Sequence, residues 1–319
     1  MAEPHRIKDV ALIGANGRLG KHFLQSLLAT EHFSITILTR MESTATLPAD
    51  VTVQRVDYNS VPSIVSALRG IQFLVITLSV FAPPDLESRI ISAARSAGVQ
   101  YIMPNAYGFD NQNPNLAASE LYRTRSVVKC NEIEALGMKY VYMCCGFWYE
   151  WSLAAGESWF GFSISERKVT FFDDGMTKIN TRLKSLLSLP AKTNGQALGV
   201  EDWANKSFYI SSFHVSQRDM LESLHRVLGT TDNDWQITYE PSEKRYHDGL
   251  EGLKKGEKRA FPKALYSRIF YTNGDGSFEN DWEAANQHFQ LPREDLDEST
   301  RRVVELVESG WTVEKQTGM

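Results

Sequence analysis

The chain has 319 residues, with 34 Lys and Arg against 39 Asp and Glu, so its formal net charge at pH 7 is −5. Hydrophobic residues make up 42% and charged residues 23% of the chain. This composition is typical of a globular protein and excludes disorder, collagen-like repeats and coiled coil as descriptions of the whole chain. The mild acidity and the scattered basic residues argue against nucleic-acid binding, which depends on concentrated Lys and Arg.

The sequence also gives expectations about compartment and metal content. No apolar run approaches the roughly 20 residues that span a bilayer, and residues 1–17 lack the segments of a signal peptide. The cysteines are Cys130, Cys144 and Cys145, an odd number without CxxC spacing, which fits a reducing compartment. The histidines show no closely spaced pairs of the kind that bind metals. We therefore expect a cytoplasmic protein with no membrane, nucleic-acid or metal partner.

Residues 7 to about 145 alternate short β-branched runs with amphipathic stretches. The predicted strands are 10–13, 35–38, 51–56, 73–77, 101–103 and 140–145, and the predicted helices are 19–28, 61–68, 86–97 and 121–136. Strands separated by helices pair in parallel through crossovers, and continuous apolar strands indicate burial on both faces of the sheet. The pattern predicts an α/β fold with a Rossmann-type, doubly wound parallel sheet.

The sequence pattern changes after Gly146. Aromatic residues crowd together between 147 and 162, and a turn is predicted at 173–175. The remaining predicted elements are a strand at 208–210, a helix at 217–228 and helical periodicity across 294–308. We expect residues 1–150 to form the Rossmann domain and residues 151–319 a smaller, mainly helical substrate domain, with a strand near 208–211 that could return to the main sheet.

The strongest local motif is GANGRLG at residues 14–20, directly after a predicted strand and at the start of a helix. In such a turn Gly14 permits a tight bend, Gly17 lets the backbone approach a pyrophosphate, and Gly20 lets the helix pack on the sheet. The helix N-terminus offers N–H groups to phosphates. The alternative is a glycine-rich turn with no ligand. The motif predicts a dinucleotide site that includes Asn16, Arg18 and Leu19.

The end of the second predicted strand indicates which dinucleotide is bound. NAD enzymes place an acidic residue about 20 residues after the motif, on the ribose hydroxyls, whereas this strand ends at Thr39 and Arg40. A guanidinium can bind a 2′-phosphate with two hydrogen bonds, and Arg18 could share that phosphate. The sequence therefore favours NADP(H), although Glu42 leaves dual specificity open and Arg40 could be an exposed loop residue.

Two later strand ends complete the predicted site, because ligands of open α/β sheets bind outside the carboxyl ends of the strands. Asp57 and Tyr58 follow the third strand and are expected near the adenine. Residues 77–79, namely Thr77, Leu78 and Ser79, follow the fourth and are expected beside the ribose and nicotinamide. The alternatives are that Asp57 caps the helix near Val61 and that Thr77 only satisfies its own strand end.

Together these segments resemble a known family. The resemblance rests on GANGRLG, the Thr39-Arg40 strand end, VITLS at 75–79, YIMPNAYGF at 101–109 and GFWYEW at 146–151. It is to the NmrA-like and isoflavone-reductase-like branch of atypical short-chain dehydrogenases, and to fungal members in particular. The resemblance implies a Rossmann fold, NADPH binding and reduction of a small, often aromatic secondary metabolite. It also implies an alternative, a regulator that binds the dinucleotide without turning it over.

The chain departs from this family at the catalytic lysine. Catalytic members carry a lysine eleven residues before the glycine that matches Gly137, and this chain has Ser126 there. Lys129 lies one helical turn further on the same face. The Tyr-x-x-x-Lys pair of ordinary short-chain dehydrogenases is missing as well, since Ser126 stands four residues after Tyr122.

The remaining candidates follow from the chemistry of hydride transfer, which needs alignment, exclusion of water and a hydrogen-bond donor. We predict Lys129 or Tyr107 as that catalytic donor and Asn105 as a cofactor-site residue. Phe147 is expected at the nicotinamide, and Trp148, Tyr149 and Trp151 are expected to contact substrate. The alternatives are a solvated helix lysine and an aromatic cluster that builds core.

The sequence thus predicts an NADPH-dependent oxidoreductase that reduces a small, aromatic or conjugated metabolite. Two other functions stay open. One is a non-catalytic NADP(H) sensor that binds a protein partner, which Ser126 in the lysine position favours. The other is a cofactor-assisted isomerase or cyclase. The oligomeric state cannot be read from the sequence.

Overall fold

The computed structural model describes residues 7–79, 82–124, 126–183, 200–278, 286–287, 291–313 and 315. They divide into two compact units. The described residues of unit 1 lie within Met1–Tyr107, Ala117–Cys144 and Lys184–Phe208, and those of unit 2 within Gly108–Leu116, Cys145–Leu183 and Tyr209–Met319. The division therefore differs from a single boundary at residue 150, because the chain passes between the units several times.

Strands and helices alternate through unit 1 and become more irregular in unit 2. The strands, in chain order, are β1 Asp9–Ile13, β2 Ser34–Arg40, β3 Thr52–Val56, β4 Phe73–Ile76, β5 Tyr101–Met103, β6 Lys139–Cys144, β7 Phe147–Trp148, β8 Phe162–Ser163, β9 Lys168–Phe172, β10 Ile179–Arg182, β11 Lys206–Tyr209, β12 Phe213–Val215 and β13 Gln236–Glu240. The helices are α1 Gly20–Ala29, α2 Val61–Ala67, α3 Leu86–Ala97, α4 Pro114–Ala118, α5 Glu120–Arg123, α6 Val127–Ala135, α7 Tyr149–Ala154, α8 Glu157–Phe160, α9 Gln217–Leu228, α10 Ser242–Lys254, α11 Ala260–Ile269 and α12 Leu296–Glu308.

Unit 1 is built on a sheet with the strand order β11-β6-β5-β4-β1-β2-β3, in which β1 to β6 pair in parallel. All four residues of β4 are buried, as the continuous apolar run predicts for a strand covered on both faces. The order reverses beside β1, whose Ile13 pairs with Leu38 of β2 and Ile76 of β4. The predicted Rossmann-type fold is confirmed, and its ligand-binding switch point lies at the end of β1.

One predicted helix is interrupted. The stretch 121–136 is divided into α5 and α6, and Ser126 stands at the N-cap of α6 with φ −129° and ψ −67°. The Ser126 hydroxyl donates a hydrogen bond of 3.1 Å to the carbonyl of Tyr122. Such a bond to the carbonyl four residues earlier bends helices, which accounts for the break.

Unit 2 contains two small sheets, β12-β10-β7 and β13-β9-β8. Its interior combines aromatic rings with buried charge, as at Arg245, which is 1% exposed. The Arg245 guanidinium forms ion pairs with Glu157 at 2.7 Å and Glu240 at 2.8 Å and lies over the ring of Phe172. Among the described helices of both units, none is long and apolar enough to cross a membrane.

Candidate dinucleotide site

The glycine turn of residues 14–20 packs tightly against the end of β4. Gly14 adopts φ +81°, and a Cβ atom there would collide with the carbonyl oxygen of Thr77. A Cβ atom on Gly20 would collide with the carbonyl oxygen of Gly14, and the amide of Gly17 donates to that same oxygen at 2.7 Å. Gly14 and Gly20 are therefore required by the close approach of backbone to backbone, and Gly17 closes the turn through its amide.

The first turn of α1 has the features of an anion site. Leu19 is its N-cap residue and makes no side-chain capping bond, and the first turn contains no acidic residue. Asn16, Gly17 and Arg18 are exposed. Uncapped N–H groups and the positive end of the helix dipole favour a phosphate at this position, so the turn fits the pyrophosphate of a dinucleotide.

Arg40, the last residue of β2, lies on the surface with its side chain 76% exposed. Its Nε is 3.7 Å from a carboxylate oxygen of Glu42, a weak contact in water. The segment after Arg40 is held by Arg55 of β3, whose Nη1 donates to the carbonyls of Met41 at 2.7 Å and Ser43 at 2.8 Å. Thr39 is half-buried. The guanidinium of Arg40 is thus presented on an ordered turn, accessible to a ligand.

Asp57 and Tyr58 follow β3. The Asp57 carboxylate accepts from the amide of Asn59 at 2.9 Å, and Ser60, not Asp57, is the N-cap of α2. The half-buried Tyr58 donates its hydroxyl to the carbonyl of Leu38 at 3.1 Å. Burial raises the pKa of Tyr58, and the charge of Arg40 opposes that rise. The phenol is thus tied to the backbone of β2.

The end of β4 is bonded to the end of β1. The Thr77 hydroxyl donates to the carbonyl of Ile13 at 2.6 Å, and its amide donates to the same oxygen at 3.0 Å. Thr77 is 7% exposed, while Leu78 is half-buried and Ser79 is exposed. Thr77 therefore has the geometry of the alternative interpretation, in which its polar groups form hydrogen bonds at the strand end. Leu78 and Ser79 are the accessible residues among the three.

The end of β5 is bonded to β4 and α3. Tyr107 donates its hydroxyl to the carbonyl of Ile76 at 2.6 Å, and the amide of Asn105 donates to the carboxylate of Glu87 at 2.8 Å. Because the Tyr107 proton already lies on a backbone oxygen, its geometry is not that of a donor poised for a substrate. Sequence reasoning missed Glu87, although its place in the first turn of the helix after β4 was a signal.

Lys129 belongs to a polar cluster between α3 and α6. Its ammonium donates to the hydroxyl of Ser88 and to the carboxylate of Glu132 at 3.1 Å, and its side chain is 12% exposed. Ser88 donates to the same carboxylate at 2.9 Å. Glu132 lies three residues after Lys129, a spacing that brings side chains together on a helix. The lysine is therefore neither solvated nor without a counter-charge.

The aromatic residues after Gly146 form part of the interior of unit 2. Phe147 stacks on Tyr266 with ring centroids 3.9 Å apart, and Trp151 meets Trp159 edge to face at 5.6 Å. Trp148 and Trp151 are half-buried. Tyr149 is 0% exposed, and its hydroxyl is 2.7 Å from that of Thr300. The expectation that Tyr149 contacts substrate is corrected by this placement, because its ring has no accessible surface.

No group of three or more His, Cys, Asp or Glu that could hold a metal ion occurs in the part of the chain that the structure describes.

Comparison with known proteins agrees with this geometry. Residues 6–159 match the model of the NmrA-like family. The first half of this chain is therefore similar to the NmrA-like family. The chain is also 29% identical over 297 residues to the oxidoreductase aprR of Aspergillus flavus, covering 91% of this chain and 96% of that protein.

Solved structures share the fold over nearly the whole chain. A complex of AtPrR2 with NADP+ and (+)-pinoresinol has a TM-score of 0.71 at 16% identity and covers 94% of this chain and 100% of its own. An isoflavone reductase has a TM-score of 0.68 at 18% identity, covering 93% and 99%. The NmrA-like and isoflavone-reductase-like resemblance read from the sequence is thereby confirmed.

Proposed function

We propose that this NmrA-like protein is an NADPH-dependent reductase of a small aromatic or conjugated compound. The observation that carries the proposal is the glycine turn, which follows β1 and begins the uncapped helix α1, together with the exposed Arg40 at the end of the neighbouring strand β2. Backbone amides at the turn would bind the pyrophosphate, and Arg40 would bind the 2′-phosphate. The fungal oxidoreductase relative and the solved NADP+ complex support this assignment.

The cofactor supplies a hydride, so the chain's task is to orient the nicotinamide and exclude water. Leu78 and Ser79, the accessible residues after β4, are placed at the strand end where the nicotinamide is expected. Asn105, which is half-buried, follows the neighbouring strand β5. The substrate class is proposed from the relatives, since pinoresinol and isoflavones are both aromatic. The substrate-binding role of unit 2 and a cytoplasmic location remain predictions.

A regulatory function is the second candidate, and one observation favours it. Ser126 occupies the family's lysine position, is 0% exposed and is bonded to the carbonyl of Tyr122. Lys129 is already paired with Glu132. A protein that binds NADPH without an available proton donor would act as a sensor, and its occupied and empty forms would differ in affinity for a protein partner.

Cofactor choice tests the site. Replacing Arg40 by Ser removes a charge-assisted contact worth about 1.5–3 kcal/mol, so NADPH should bind roughly 10- to 150-fold more weakly while NADH binding stays constant. Isothermal titration calorimetry with both nucleotides measures this difference. Arg69→Ser is the matched control, because Arg69 is another exposed arginine of unit 1. An unchanged preference for NADPH in Arg40→Ser would exclude the assignment.

Turnover separates the reductase from the sensor. The purified protein is mixed with NADPH and, in turn, an isoflavone, pinoresinol and a quinone, and the loss of nicotinamide absorbance is followed. Substrate-dependent oxidation supports the reductase. Tight NADPH binding without oxidation across a broad set of aromatic carbonyl compounds supports the sensor. Loss of turnover in Lys129→Met but not in Glu134→Gln, an exposed acid of the same helix, would make Lys129 the donor.

A further inference from the structure

The carboxyl ends of β1, β4 and β5 are joined by two side-chain hydroxyls. Thr77 at the end of β4 donates to the carbonyl of Ile13 at the end of β1. Tyr107, just after β5, donates to the carbonyl of Ile76, the last residue of β4. Both side chains are at least nine-tenths buried, at 7% and 8% exposure. These two bonds extend the cross-strand hydrogen bonding of the sheet beyond the last backbone pairs.

The same two residues contact the glycine turn and the helix that follows it. The Thr77 hydroxyl lies 2.8 Å from the position of a Cβ on Gly14 and 2.7 Å from that of a Cβ on Gly20. Thus it fills the space directly beneath both ends of the turn. The Tyr107 ring packs against Phe23 of α1 with ring centroids 5.3 Å apart. One residue therefore fixes the turn, and the other fixes the helix that the turn begins.

We propose that Thr77 and Tyr107 are positioning residues that hold the glycine turn in the conformation that receives the pyrophosphate. They act through backbone oxygens and packing rather than by touching the nicotinamide or the substrate. The inference rests on the proposed function only in naming the ligand; the effect on the turn itself is independent of any nucleotide.

Substitutions of Thr77 distinguish the hydroxyl from mere bulk. In Thr77→Val a methyl replaces an oxygen that lies 2.6 Å from the Ile13 carbonyl, whereas a carbon needs about 3.3 Å or more from an oxygen. The turn must therefore shift. Thr77→Ser keeps the hydroxyl and should rescue the turn. Thr77→Ala removes the hydroxyl without adding bulk and preserves the comparison should the valine variant fail to fold.

Hydrogen–deuterium exchange of peptides covering residues 14–23, measured without nucleotide, reports on the turn itself. Loss of one buried hydrogen bond should speed exchange there by about three- to tenfold in Thr77→Val and Thr77→Ala. Thr77→Ser should stay within about twofold of wild type. Calorimetric NADPH affinity should follow the same order. Exchange in Thr77→Ala equal to wild type, or exchange in Thr77→Ser as fast as in Thr77→Ala, would overturn the proposal.

Tyr107→Phe provides the second arm. The ring contact with Phe23 remains while the bond to Ile76 is lost, so exchange of the turn should rise by about two- to fivefold. The pH dependence of NADPH affinity should keep its shape, because the Tyr107 hydroxyl acts through the carbonyl of Ile76 and not on the nucleotide. A variant with unchanged exchange would remove Tyr107 from the proposal. A wild-type protein that fails to bind NADPH would refute the proposed function, while the exchange comparison still decides the positioning role.

Discussion

The glycine-turn edge of unit 1 and the aromatic interior of unit 2 both carry conspicuous sequence patterns, but only the pattern in unit 1 specifies the geometry around it. The turn works through backbone, so three glycines at a fixed spacing after an apolar strand specify it almost completely. The contacts of a tyrosine or tryptophan side chain depend on residues far away in the sequence. Tyr149 contacts Thr300, about half the chain away, and no local sequence pattern predicts that contact. A site built from backbone groups can therefore be predicted from sequence more completely than one built from aromatic side chains.

The two regions also differ in how they hold charge. In unit 1, the buried residues of strands β1 and β4 are all apolar. Unit 2 buries a cluster around Asp275, which is 5% exposed and bonded to Arg268, also largely buried. The carboxylate accepts further bonds from Asn113, Asn115 and Asn273. Buried charge of this kind is costly to break once formed, so the largest stability effects are expected there.

Asp275→Asn should give the largest effect. The amide leaves the buried Arg268 without its counter-charge, so we expect a loss of about 3–5 kcal/mol in the free energy of unfolding at pH 7. Urea unfolding followed by tryptophan fluorescence measures it. Asp232→Asn is the exposed control, because Asp232 also pairs with an arginine, Arg218, but at the surface. Equal losses in the two variants would contradict the distinction between buried and exposed pairs.

The same variant should alter the dependence of stability on pH. Burial acts to raise the pKa of Asp275, but hydrogen bonds from Asn115, Arg268 and other donors outweigh it, so the pKa lies below its ordinary value. A lowered folded-state pKa stabilises the protein above the unfolded pKa, about 3.9, and that contribution is lost as pH falls below it. The difference in stability between wild type and Asp275→Asn should therefore shrink from pH 6 to pH 3.

Gly14→Ala tests the other region. The residue has φ +81°, and its new Cβ would meet the carbonyl of Thr77. The left-handed conformation costs about 1–2 kcal/mol and the collision about 1–3 kcal/mol, and NADPH binding should be lost. Gly70→Ala is the matched control, because Gly70 has φ +80° with no atom near its Cβ position. Only the conformational cost is expected there, with NADPH affinity unchanged.

Much of unit 1 could be predicted from the sequence, because its strands are apolar runs and its turn is a local motif. The break at Ser126 could not, since it depends on a bond to Tyr122 that competes with helix continuation. Only one of the two partners of Lys129 could be predicted from the sequence. Glu132 lies three residues further along the same helix, whereas Ser88 is 41 residues away. Contacts of this kind depend on tertiary packing and not on local spacing, so the sequence alone does not specify them.

Tyr149→Phe should have the smallest effect, and it tests whether Tyr149 is a buried residue that does not contact substrate. Loss of the bond to Thr300 should cost about 1 kcal/mol in the free energy of unfolding. The Thr300 hydroxyl keeps a second partner, Ser223, at 2.8 Å, so little of the penalty for an unsatisfied group is expected. Because the ring is fully buried, KM for any substrate found for the protein should be unchanged.

Thr300→Val removes the other partner of the same bond, and the losses in the free energy of unfolding of the two variants should not add. A raised KM in Tyr149→Phe with unaltered stability would instead return Tyr149 to the substrate surface.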